Sequence, residues 1–242
     1  MKPLILARYT LKDVIRDKMG LLFMVALPVG FVVLQNIGVV EMAERAARIA
    51  LVTYFFMLII GCTSVGSTVM DMRRSGTLKR ILIMPITKTG FLLGVALDTF
   101  ARLGIMVGIV FVMMFIYRIT IPGSWLDLLI VLLIGVLFAL ALGLNFAVIS
   151  KSVFSTVGSA IFTSMMLFQV SDWNRGGRFE GTIVEGVAGH NPVYHLSGVI
   201  LGILEGAPLS QFHPELGAVF LWIAALFLSS VALYHWRIEK MI

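Results

Sequence analysis

The chain has 242 residues and a formal charge of +6, yet only 13% of its residues are charged and 59% are hydrophobic. Its mean hydropathy is +1.00, and several apolar runs reach about 20 residues, enough to cross a hydrocarbon core. This excludes an ordinary soluble domain, which carries about 25% charged residues, and the single cysteine, Cys62, excludes an internal disulfide or a cysteine zinc cluster.

Residues 1–19 come first. Leu4, Ala7, Leu11, Val14 and Ile15 fall on one helical face, and Arg8, Lys12, Asp13, Arg16 and Asp17 on the other. This pattern predicts an amphipathic interfacial helix on the inner leaflet, basic enough to favour anionic lipid. A secretory signal fits poorly, because the charged region is long and contains acids.

Six apolar spans follow, at about 20–37, 49–70, 91–117, 126–149, 153–170 and 216–236. Pro28 and Gly30 in the first are tolerated in a membrane helix. The second is rich in small and hydroxyl residues after Gly61. Ser150, Lys151 and Ser152 alone separate the fourth from the fifth, which predicts an antiparallel pair. Segment 171–215 is the one long outer connection. Its second half, NPVYHLSGVILGILEG, is apolar but too short to span, and predicts a re-entrant or interfacial helix.

The basic residues predict the orientation. With the amino end inside, 13 Lys and Arg fall on inner segments and 5 on outer ones: Arg45, Arg48, Arg118, Arg175 and Arg178. Arg102 lies within a span. The positive charge thus marks membrane topology, not nucleic-acid binding. Both termini are expected in the cytoplasm, and the whole chain, 1–242, is one all-α transmembrane domain.

The inner stretch Asp71–Gly90, DMRRSGTLKRILIMPITKTG, is the most informative. Ser75 reads as an N-cap, Leu78, Ile81 and Leu82 sit at helical spacing, and Pro85 ends the pattern. The positive-inside rule accounts for Arg73, Arg74, Lys79, Arg80 and Lys88 as charges. It does not account for Gly76-Thr77-Leu78 or for the proline-terminated turn. A short apolar and basic helix of this kind suits the docking of a soluble partner. Leu78, Ile81 and Leu82 supply the apolar contact, and Lys79 and Arg80 pair with acids. No G-x-x-x-x-G-K-[ST] occurs in the chain, so a nucleotide-driven motor has to be another polypeptide.

At MRRSGTLKRILIMPIT the sequence resembles the permease subunits of ABC-2 type exporters. The resemblance implies that this stretch is a cytoplasmic coupling helix, seated on the nucleotide-binding subunit through Arg74, Gly76, Thr77, Leu78, Lys79, Arg80, Ile81, Leu82 and Pro85. The amphipathic start, the six spans and Asn191-Pro192 near the end of the outer segment agree with it. The chain departs from the family where the fifth span ends, in the polar and proline-free FQVSDWNRGGRF, and about ten residues after Asn191-Pro192, where an arginine is usual. The implied partners are two cytoplasmic ABC ATPase subunits, a second permease copy or paralogue, and membrane lipid, with no nucleic acid and no cofactor. The implied location is the cell's inner membrane, and the implied cargo a hydrophobic or amphipathic small molecule. A secondary carrier or a membrane assembly or immunity factor is the rival class. Ion-coupled carriers usually show internal repeats and acids at mid-membrane, and here Asp98 is the one acid in a span.

Other residues carry two readings each. Asp98 and Arg102 stand four apart in the third span, as a helix-holding pair or as a gating or substrate contact. Ser152, Ser155, Thr156, Ser159 and Thr163 form a stripe on the fifth, as a packing surface or a pathway lining. Asn191 and Pro192 belong to the outer gate on the resemblance. Gly104 and Gly108 read as helix packing, and Asn145 and Gln169 as interhelical hydrogen bonding. The four histidines lack metal-site spacing, and no metalloprotease motif, nucleophile elbow or intramembrane carboxylate pair occurs, so no catalytic residues are expected in this chain.

Overall fold

A computed structural model of the chain describes residues 18–76, 88–175 and 181–239. Among them every regular element is helical. The order is α1 (Lys18–Gln35), α2 (Met42–Arg74), α3 (Lys88–Ile116), α4 (Trp125–Ile149), α5 (Val153–Arg175), α6 (Ile183–Ala188), α7 (Pro192–Leu204), a 3-10 turn (Leu209–Phe212) and α8 (His213–Glu239). Five stretches are long and apolar enough to cross a membrane: Met42–Met72, Gly94–Ile116, Trp125–Ile149, Val153–Ser171 and Leu209–Leu233. That is the make-up of a multi-pass membrane protein. The first of the six expected spans falls on α1, whose described apolar part, Leu22–Gln35, is among the shorter apolar helices of 10–17 residues. The predicted interfacial helix lies outside the described residues.

Helices α2 and α4 form the centre. α4 is apolar all round, and 67% of its span is buried, as expected of a helix surrounded by others. α2 packs against α1, α3, α4, α5 and α7. Glycines let α2 and α4 approach closely. A Cβ on Gly143 would stand 2.9 Å from the Cys62 Cα, and one on Gly135 would meet the Tyr54 ring at 2.8 Å. The Cys62 thiol donates to the Ala139 carbonyl at 3.4 Å across the same seam. Small residues at a contact are the usual means of packing helices in lipid, where no hydrophobic effect drives them together.

α2 is longer than the apolar run that predicts it. Its 33 residues extend about 50 Å. The polar link around Glu41–Arg48 belongs mostly to its first turns, and Asp71–Arg74 to its last. The helix that Ser75 is expected to cap lies outside the described residues, and Ser75 itself terminates α2. Its N–H donates to the Asp71 carbonyl at 2.9 Å and its hydroxyl to the Met72 carbonyl at 3.4 Å. Gly76 follows at φ +70°, the left-handed position that favours glycine after a helix.

Two arginines hold the α1–α2 turn. Arg48 donates to the Gln35 carbonyl, an orphan at the end of α1, at 2.5 Å, and pairs with Glu44 at 2.5 Å. Arg45 donates to the Val39 carbonyl, and its guanidinium lies 5.3 Å from the centre of the Tyr117 ring. Asn145 on α4 behaves as expected of a polar residue in a span. Its amide donates to Ser229 Oγ at 2.5 Å and the Leu226 carbonyl at 3.1 Å, joining α4 to α8. Gln169 does not: it is exposed on α5. Gly104 and Gly108 are also exposed, with open space where a Cβ would stand, so the described helices do not pack on them.

Candidate functional site

α7 is the element that builds the site. Its 13 residues reach about 20 Å, too short to cross a bilayer. They are packed nonetheless against α2, α4, α5 and α8, and Val193, Leu196, Val199, Ile200 and Ile203 are fully buried. The helix starts sharply because Asn191-Pro192 is a start signal. Pro192 occupies the first turn, where its missing N–H is no loss. Asn191 Oδ1 accepts from the Val193 N–H at 2.9 Å. The same side chain reaches across to α5. Its amide donates to the Leu167 carbonyl at 2.7 Å and to Ser171 Oγ at 2.9 Å, and Ser171 in turn donates to Leu167 at 2.7 Å. One asparagine thus caps α7 and fixes it to α5.

Beside this clamp lies a cavity of about 990 Å³. α4 supplies Phe138 and Leu142 to its wall, α5 supplies Phe162, Thr163 and Met166, and α8 supplies Trp222 and Leu226. Asn191, Pro192 and His190, at the start of α7, also line it. There the Trp222 indole N–H donates to the His190 carbonyl at 2.9 Å, tying α8 to the start of α7. His190 Nδ1 lies 2.8 Å from the Gly186 carbonyl, and His195 Nε2 lies 2.9 Å from that of Gly189. A mostly apolar hollow of this size with a few polar groups in its lining is the usual form of a small-molecule site.

Thr163, Asn191 and Pro192 therefore meet on one cavity, although 28 positions separate Thr163 from Asn191. Ser159 is half-buried one turn earlier on α5. Thr156, of the same stripe, is buried where Gly66 of α2 comes against it, so the stripe divides: part packs on α2, part faces the cavity. Arg102, on α3, is half-buried and is not among the described residues that line the cavity, and the side chain of Asp98, one turn earlier, lies outside what is described. Of the Asp71–Gly90 stretch, Arg74 is exposed at the end of α2. Thr77, Leu78, Lys79, Arg80, Ile81, Leu82 and Pro85 lie outside the described residues. The aromatic and aliphatic walls were absent from the sequence reading, because an apolar side chain in a span looks the same whether it meets lipid, a helix or a hollow.

The outer helices leave much surface uncovered. Only 17% of the α5 span and 11% of the α8 span are buried. Among the described residues no group of three His, Cys, Asp or Glu could hold a metal ion. No protein-family model matches the chain, and no curated protein matches it.

Proposed function

We propose that the chain is the membrane permease of an ATP-driven exporter of the ABC-2 type. It works as a dimer, with itself or with a similar chain, and two cytoplasmic ATPase subunits dock on it. In this reading the chain crosses the inner membrane six times, α1 included, with both ends in the cytoplasm. The segment around α7 dips back into the outer face. The observation that carries the reading is the Asp71–Gly90 stretch, basic and apolar by turns, between the two membrane-length helices α2 and α3. Because α2 is continuous from Met42 to Arg74, a push on that stretch acts along a helix lying against α4 and α5. Closure of the ATPase pair would so reach the helices that wall the cavity. The hollow's apolar lining supports a hydrophobic or amphipathic small molecule as cargo.

The reading predicts that an adjacent gene encodes a soluble P-loop ATPase, and the test is reconstitution in lipid of the full chain with that ATPase. Stable co-purification is expected, with ATP hydrolysis faster than that of the ATPase alone. An ATPase that neither binds the chain nor responds to it would refute the reading.

A further inference from the structure

The end of α3 sets a cation beside an apolar groove. The Ile119 N–H donates to the Met114 carbonyl at 2.9 Å and the Arg118 N–H to that of Phe115 at 3.0 Å. These are the paired bonds of a Schellman ending, whose left-handed position is usually glycine. Here it is Arg118, at φ 53°, the one non-glycine residue with positive φ among the described residues. A side chain there costs about 1 kcal/mol or more. Its guanidinium is exposed and makes no hydrogen bond or ion pair with the described residues. The same-side cations Arg45 and Arg48 differ, since both are committed to the α1–α2 turn.

Arg118 borders a groove of about 840 Å³. Its walls include Phe111, Val112, Phe115 and Ile116 from α3, with Trp125 at the start of α4. The Phe111 and Trp125 rings stand 5.9 Å apart. Phe115 is 83% exposed, so the groove opens outward. Both helices have membrane-spanning length and composition, so outward here means hydrocarbon. A tryptophan and an arginine at the helix ends mark the level of the headgroups.

We propose that this groove seats one glycerophospholipid, its phosphate on the Arg118 guanidinium and one acyl chain along Val112, Phe115 and Ile116. Charge decides the occupant. A guanidinium matches a phosphate with two parallel hydrogen bonds, and the protein leaves this one to an outside anion. The apolar walls below it suit a chain that is already dissolved in the same leaflet. The inference rests on α3 and α4 crossing the bilayer and not on the exporter reading.

The experiment is native mass spectrometry of the delipidated full chain, titrated with phosphatidylglycerol. Arg118→Gly removes the cation and suits the backbone, so its melting temperature is expected to match or exceed that of the wild type. Its affinity for the first lipid is expected to fall about tenfold, the loss of one charge-assisted contact. Val112→Trp puts an indole across the acyl-chain path at an exposed position and is expected to weaken the same lipid while keeping Arg118. Wild-type affinity in Arg118→Gly overturns the proposal. So does weakening in Arg118→Gly with none in Val112→Trp, which leaves only a surface charge that inorganic phosphate would serve equally. If Val112→Trp abolishes a dimer without changing lipid binding, a second copy of the chain covers the groove and the proposal fails.

Discussion

Replacing Asn191 by alanine should loosen α7 from the bundle. Three hydrogen bonds go at once: the cap on Val193 at 2.9 Å and the two donations to α5 at 2.7 and 2.9 Å. An N-cap lost to alanine costs about 1 kcal/mol. Interhelical hydrogen bonds in membrane proteins average about 0.6 kcal/mol each, less than their soluble counterparts. The Leu167 carbonyl keeps the Ser171 hydroxyl as a donor, so no further penalty falls on it. The sum is about 2 kcal/mol, near a thirtyfold change in the folded fraction. Unfolding by SDS from mixed micelles, followed by the fluorescence of the four tryptophans, measures it. Asn191→Ser keeps a capping oxygen but cannot span to α5, and should lose about half as much. A double-mutant cycle with Ser171→Ala isolates one contact, with a coupling near 0.6 kcal/mol expected. If Asn191→Ala unfolds within 0.5 kcal/mol of the wild type, by the same rough scale, the clamp does not hold α7 in place.

Three other outcomes are expected. Gly143→Val, whose Cβ would press on the Cys62 backbone, should cost about 1–3 kcal/mol in the same unfolding assay, whereas Gly104→Ala, facing open space, should be neutral or stabilising. Met166→Trp should put an indole into the 990 Å³ hollow and obstruct it in part, lowering the binding of a hydrophobic fluorophore while leaving the melting temperature unchanged. Six crossings with both ends inside place Ser210 outside and Lys151 inside. A membrane-impermeant maleimide added to whole cells should therefore label Ser210→Cys and spare Lys151→Cys. Native Cys62 is buried and should not interfere.

Much of the helical layout was legible in the apolar runs, because a bilayer demands about 20 of them per crossing. Their ends were less so. Hydropathy stops at Met70, but the backbone hydrogen bonds of α2 run on through Asp71 to Arg74, since a helix outside the hydrocarbon needs no apolar side chains. For the same reason the part of Ser75 in ending α2 was not legible: its N–H and hydroxyl donate back to the Asp71 and Met72 carbonyls. Asn145 and Gln169 are equally polar in sequence, yet one joins two helices and the other faces outward; the side of the helix that meets a neighbour is a tertiary fact. Asn191-Pro192 stood out only through the family resemblance, and Thr163 as part of a polar stripe. Their meeting on one cavity depends on α7 turning back into the bundle, which no local pattern encodes. Arg118 stood out only as a cation on the less basic side, and its left-handed backbone had no signal, because glycine is the usual mark of that position.

The central claim is that a separate ATPase drives this chain through the stretch after α2. The most direct measurement is ATP hydrolysis and co-purification of the reconstituted pair carrying Leu78→Asp and Ile81→Asp together. Docking through that apolar surface predicts loss of the complex and a return to the hydrolysis rate of the free ATPase, with the permease still folded by its melting temperature. A variant that still binds the ATPase and stimulates hydrolysis as the wild type does would contradict it.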